Sequence, residues 1–231
     1  HVVCRRQRQM CIRDSLRGML EVVALWAAED SESALLWLES NAQGLARLET
    51  LNNGVELWAE RNPTEASQWI DGMANDGSKA IAAKALAAKW VLAEPVVATK
   101  WVAGLPEGPI QKKAKEALVK SWVMRDAKAA SVWALAEAEF NGDYDLLSET
   151  ILEFSKQSPE EAESFVRDLA QANYSEIAVA SHVMGRAEED PAATAQWLLS
   201  MAPTDPIYSA EYANELMPVS YTHLRAHETD Y

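Results

Sequence analysis

The chain of 231 residues carries 35 acidic against 21 basic side chains, a formal net charge of −14, and nine tryptophans. A balance this acidic argues against a nucleic-acid backbone as partner, because phosphate contacts need a basic face. No apolar run approaches the roughly 20 residues of a membrane span, since lysines interrupt each alanine-rich stretch, as in "SKAIAAKALAAKWVLAE".

The first fifteen residues hold Cys4, Cys11 and a basic "CRRQRQ". The last fourteen hold His223 and His227, four apart, the spacing of two metal ligands on one helix face. Taken alone, the ends suggest a basic arm and a zinc site. The genetic code argues otherwise. Met10 to Asp14 can be written ATG TGT ATA AGA GAC. The opposite strand in the same register is GTC TCT TAT ACA CAT, which translates as Val219 to His223. Both ends also resemble translated transposon-end adapters used in sequencing-library preparation, "RRQRQMCIRDS" at one end and "VSYTHLRAHET" at the other. Residues 1–15 and 218–231 are therefore expected to be non-native tails, outside any reading of the fold. Residues 16–217 are expected to form one helical-repeat domain cut from a longer protein. Sixteen basic and 32 acidic residues remain there, a net charge of −16, with no cysteine and with His182 as the one histidine. No disulfide, metal site or cofactor is expected of them.

In chain order, the first signal is Trp26, followed at intervals of 32 by Trp58, Trp90, Trp122 and Phe154. A second column runs Trp37, Trp69, Trp101, Trp133, Phe165 and Trp197 at the same interval. All nine tryptophans fall in these two columns, across six copies without an insertion or deletion. Such a period marks a repeat array. Between the columns stand Asp30, Asn62, Glu94, Asp126, Ser158 and Asp190, and the next residue is Pro63, Pro95, Pro159 or Pro191 in four copies. A polar side chain followed by proline is a helix N-cap followed by its first turn. Glu65 and Glu161, three after their caps, predict capping boxes. Apolar columns follow at offsets that line one helical face, among them Ala34, Ala66, Ala98, Ala130 and Ala162, and Leu38, Ile70, Val102, Ala134, Val166 and Leu198. The spacing predicts a first helix of about twelve residues. Gly44, Gly77, Gly104, Gly108 and Gly142 then mark a break. A second, longer helix closes each copy on the Trp26 column. Neither helix can bury its stripe alone, so neighbouring copies must stack. The fold expected is all-α, an α–α superhelix of about six two-helix repeats.

"RNPTEASQW" and "EDPAATAQW" resemble the junction between tetratricopeptide repeats, where Asp/Asn-Pro precedes a short helix with Ala and Trp at these offsets. The resemblance spans residues 24 to 217 or so. It departs in a period of 32 rather than 34 and in lacking Leu-Gly-x-x-Tyr after the Trp. It implies a tetratricopeptide-like solenoid with a right-handed twist and a concave face that binds peptides.

Chemistry is sparse. Tryptophans among carboxylates suggest a sugar cleft, but recurrence in every copy assigns them to the core. His182 in "VASHVMG" shares a column with Gly54, Leu86, Leu118 and Thr150, which predicts a half-buried structural residue. Ser181 beside it would point about 100° away on a helix and cannot serve as its nucleophile. Asp143, Asp145 and Glu149 in "NGDYDLLSE" lack the glycine order of a calcium loop and fit a helix start instead. The function expected is non-catalytic: a scaffold for a protein or peptide, without nucleic acid or membrane insertion. Alternatives are a fragment of a helical-toroid enzyme acting on carbohydrate and a purely structural spacer. The candidate partner-facing residues are Gln68, Lys100, Ser164 and Gln196, members of a varying column completed by Leu36 and Val132. End-to-end self-association through open array ends is also expected.

Overall fold

The structure, a computed structural model, describes residues 18, 22–23, 25–27, 29–41, 44–142, 144–169 and 175–208. Both predicted tails, with Cys4, Cys11, His223 and His227, lie outside the described residues, as does Asp143. The fold is all-α. Eleven helices are described: α1 (Ser31–Asn41), α2 (Gly44–Arg61), α3 (Pro63–Asp71), α4 (Gly77–Ala93), α5 (Pro95–Ala103), α6 (Pro109–Val123), α7 (Ala127–Asn141), α8 (Asp145–Gln157), α9 (Pro159–Asp168), α10 (Ser175–Glu189) and α11 (Pro191–Ser200). None is long and apolar enough to cross a membrane.

Helix starts follow the predicted chemistry in most copies. The carboxylate or amide oxygen of Asp30, Asn62, Asp126 and Asp190 accepts the backbone N–H three residues on, at 3.0, 3.2, 2.9 and 2.9 Å. Pro63, Pro95, Pro159 and Pro191 occupy the first turns. Ser158 and Glu94 make no side-chain cap bond. Glu94 instead accepts the indole N–H of Trp90 at 2.9 Å. The predicted capping boxes have no donor left to serve. The N–H of Asn62 is already bonded to the Trp58 carbonyl, and that of Ser158 to the Phe154 carbonyl, both at 2.8 Å. Each junction is therefore tight: the cap residue ends one helix as it begins the next.

The first helices are shorter than predicted, 9 to 11 residues, except α7 at 15, which runs on until Gly142 in the left-handed region at φ 73°. Asp145 opens α8, as a carboxylate in a first turn should.

The chain forms two compact units, residues 1–122 and 123–231. In the first, α2 packs on α1, α3 and α4, and α4 packs on α3 and α5. Leu35, Leu38, Leu51, Val55, Ile70 and Leu86 are buried there. Lys79 on α4, one of the lysines that interrupt its alanine run, is buried. Its Nζ donates to the Asp71 and Met73 carbonyls at 3.1 and 3.3 Å, at the negative end of the α3 dipole. In the second unit, α8 packs on α7, α9 and α10, and α10 packs on α9 and α11. Its core joins Ala134, Leu147, Ile151, Val166, Val183, Leu198 and Ile207. Within each unit, consecutive helices thus pack on their sequence neighbours. Both predicted apolar columns, from Ala34 to Thr194 and from Leu38 to Leu198, are buried at all six positions.

Candidate functional site

The aromatic columns define the inside and outside of each copy. An aromatic closing one long helix stacks on the one eleven residues later in the next short helix. The pairs are Trp26–Trp37, Trp58–Trp69, Trp90–Trp101 and Phe154–Phe165, with centroids 5.8 to 6.3 Å apart and tilts of 46 to 58°. Such offset, tilted rings contribute beyond their buried area. The two columns are not equally deep. In the long-helix column Trp58, Trp90 and Phe154 are buried and Trp26 and Trp122 half-buried, whereas in the short-helix column Trp69, Trp101, Trp133, Phe165 and Trp197 are half-buried and Trp37 is exposed. Assigning every tryptophan to the core was therefore too simple. The short-helix ring lies over the long-helix ring and keeps one edge at the surface, and the Trp101 indole N–H donates to Asp71 at 3.2 Å.

The candidate partner-facing column stands one residue before these half-buried rings. One step on a helix turns about 100°, which takes the column out of the interface. Leu36, Gln68 and Lys100 in the first unit are exposed, on α1, α3 and α5. Val132, Ser164 and Gln196 in the second are exposed as well, on α7, α9 and α11. The column thus offers two aliphatic groups, two amides, a hydroxyl and an ammonium on otherwise equivalent frames.

His182 is wholly buried rather than half-buried, and Gly54, Leu86, Leu118 and Thr150 of its column are buried too, whereas Val22, its first member, is exposed. Column chemistry concealed this, because burial here comes from the neighbouring copy. The His182 Nδ1 lies 2.8 Å from Ser155 Oγ, which also lies 2.6 Å from the Ile151 carbonyl. The hydroxyl has one proton, and the carbonyl can only accept. Ser155 therefore donates to Ile151, and Nδ1–H donates to Ser155. His182 Nε2 is left as a buried acceptor without a partner. This polarity is the reverse of a nucleophile activated by a base, and neither group reaches solvent. Ser181 points elsewhere, as its position predicted: its Oγ lies 2.8 Å from Ser148 Oγ and donates to the Ile177 carbonyl. Ser155, 27 residues from His182, carried no sequence signal. Burial, and secondarily the charges of Arg186 and Arg167, lower the His182 pKa to about 4.

Arg186, which breaks the aromatic column of the last copy, keeps the stacking geometry by other means. Its guanidinium lies 4.3 Å from the Trp197 ring centroid, a cation–π contact, and 3.9 Å from Glu163. Arg167 donates two bonds to Asp205 at 2.9 and 3.1 Å and two to Glu163 at 3.0 and 2.8 Å. The "SMAPTDPIY" segment is thereby held against the core, with Ile207 wholly buried.

Among the described residues, no group of three His, Cys, Asp or Glu could hold a metal ion. No protein-family model matches the chain, and neither a curated protein nor a solved structure matches it.

Proposed function

We propose that the chain is a tetratricopeptide-like scaffold whose compact units each hold an extended peptide or a protein along the outward residues of their short helices. The observation that carries this reading is the exposed series Leu36, Gln68, Lys100, Val132, Ser164 and Gln196. Its members change in size and charge from copy to copy, while the buried columns beneath keep small or aliphatic groups. A rigid frame with changing surface groups suits recognition, because little ordering cost is added when a partner binds. The acidic balance favours a peptide with basic residues, whose approach salt would slow.

The test is selection of binders from a random peptide library against the full chain, followed by Gln68→Ala, Lys100→Glu and Gln196→Ala. All three side chains are exposed, so the fold should survive. The reading expects at least one substitution to weaken the selected peptides about tenfold, or about 1.4 kcal/mol. Peptides that bind all variants equally would remove this column from the function.

A further inference from the structure

We propose that the second unit docks an amphipathic helix of a partner protein, through an apolar stripe with lysine or arginine on one flank. The inference rests on the scaffold reading and names the partner's chemistry for this unit. Its ground is α7, the one short helix that runs to 15 residues where the others have 9 to 11. The extra turns carry Phe140 to a position that holds Gly44, Asp76 and Gly108 in earlier copies, beyond the end of the short helix. Phe140 is 92% exposed. Val132, at 52%, and Ala136 stand four and eight residues before Phe140 and one before the other, on the same outward side of α7. Single exposed apolar residues are common, but three in helical register make a surface.

The neighbouring short helix supplies the charge. Helices α7 and α9 both pack on α8, and Leu135 of α7 and Phe165 of α9 pack on one core. On α9 the columns of Lys128, Val132 and Ala136 are filled by Glu160, Ser164 and Asp168, all exposed. An acidic stripe therefore lies beside the apolar one. Residues 123–208 hold 16 acidic and five basic side chains. Three of the five cations are engaged inside the unit: Lys156 with Glu153 and Glu188, Arg167 with Glu163 and Asp205, and Arg186 with Glu163 and the Trp197 ring. Among the described residues, no ion pair reaches Glu160 or Asp168. From Val132 to Phe140 the helix rises about 12 Å. A partner helix matches that with apolar residues at i, i+4 and i+8, the spacing of a helix ridge laid along another helix. Cations on its α9 side then meet Glu160 and Asp168. Lys128 heads the apolar stripe, so the basic flank lies on that side alone. The same carboxylates repel an anionic lipid surface, the other medium that an exposed phenyl ring could enter.

The test pans a display library of single helices of about 18 residues, long enough to hold their shape, against the full chain. One stripe and both its flanks are randomised. Enriched helices should carry apolar residues at i, i+4 and i+8 with lysine or arginine on one flank. Val132→Asp and Phe140→Asp should each weaken them about tenfold. Glu160→Lys with Asp168→Lys should weaken them as much and flatten their salt dependence. All four side chains are exposed, and Phe140→Ser replaces Phe140→Asp if circular dichroism shows that variant unfolded. No enrichment, enrichment of acidic flanks, or equal binding by the α7 variants and the parent each overturn the proposal. Helices that ignore the α7 and α9 substitutions but weaken on Gln68→Ala, Lys100→Glu or Gln196→Ala overturn this inference and leave the scaffold reading standing. Helices indifferent to every one of these substitutions remove both. Self-association of the chain that Phe140→Asp abolishes would name a second copy as the occupant and also overturn the proposal.

Discussion

The imidazole of His182 on α10 and the hydroxyl of Ser155 on α8 meet at 2.8 Å with both side chains buried. The contact joins two long helices 27 residues apart in sequence and leaves His182 Nε2 without a partner. The Trp197 ring stands edge-on to the imidazole at 5.5 Å, and Arg186, Arg167 and Glu163 are the charged groups around it. A second proton on this ring would have to be held in a site with no acceptor and two nearby cations.

Acid should therefore unfold the protein through His182. The folded-state pKa is about 4 against an ordinary histidine value of 6.5. A lowered histidine pKa gives stability that is fully present above pH 6.5 and is lost as pH falls from there to 4. The loss is at most about 3 kcal/mol. Urea unfolding at pH 7, 5.5 and 4.5 should show it, and His182→Leu should show a shallower decline because only the carboxylates then titrate. Parallel declines in both proteins would remove His182 from the account.

Depth, not residue type, should set the cost of losing a tryptophan. Trp90→Ala removes a buried ring that also satisfies Glu94 and should cost about 3–5 kcal/mol. Trp101→Ala removes a half-buried ring and should cost about half as much. Lys100→Ala, one residue away and exposed, should cost under about 0.5 kcal/mol. Chemical denaturation of the three variants gives the ranking, and equal losses for Trp101 and Lys100 would reverse the assignment of inside and outside.

Two glycines separate helix propensity from helix contact. An added Cβ at Gly185 meets the Leu152 carbonyl and, at 2.9 Å, the Ser155 Cβ. Backbone cannot yield there, so Gly185→Ala should push α8 and α10 apart and cost about 3 kcal/mol. At Gly54 the same atom meets only the tip of Leu35, at 2.7 Å. That side chain can rotate, and the gain of about 1 kcal/mol in helix propensity offsets the shift. Gly54→Ala should thus melt within a few degrees of the parent.

The caps should differ by whether the side chain is engaged. Asn62→Ala and Asp126→Ala each remove a bonded cap and should cost about 1 kcal/mol. Ser158→Ala removes a side chain that makes no cap bond and should be close to neutral. A loss at Ser158 as large as at Asp126 would show that the cap column works through something other than its side-chain oxygen.

The sequence by itself determined the period of 32, the helix starts, the pair of helices in each copy and the two columns that stay buried at every position. These follow from contacts within about one helical turn, or from a pattern repeated six times, and both are visible in a linear string. Only the tertiary structure decided how deep each column lies. Trp90 and Trp101 look alike in sequence, yet one is covered and the other keeps an edge at the surface, because depth depends on what the adjoining helix lays over a ring. The same holds for His182, buried by a neighbouring copy and bonded to a serine one repeat away. It holds for Glu94, which occupies a cap position but turns to the Trp90 indole. It holds again for Ile207, drawn into the core past two prolines by the Arg167–Asp205 pair. Periodicity states which residues are equivalent. It does not state which partners the equivalent positions find, because those partners lie on the next copy and differ each time.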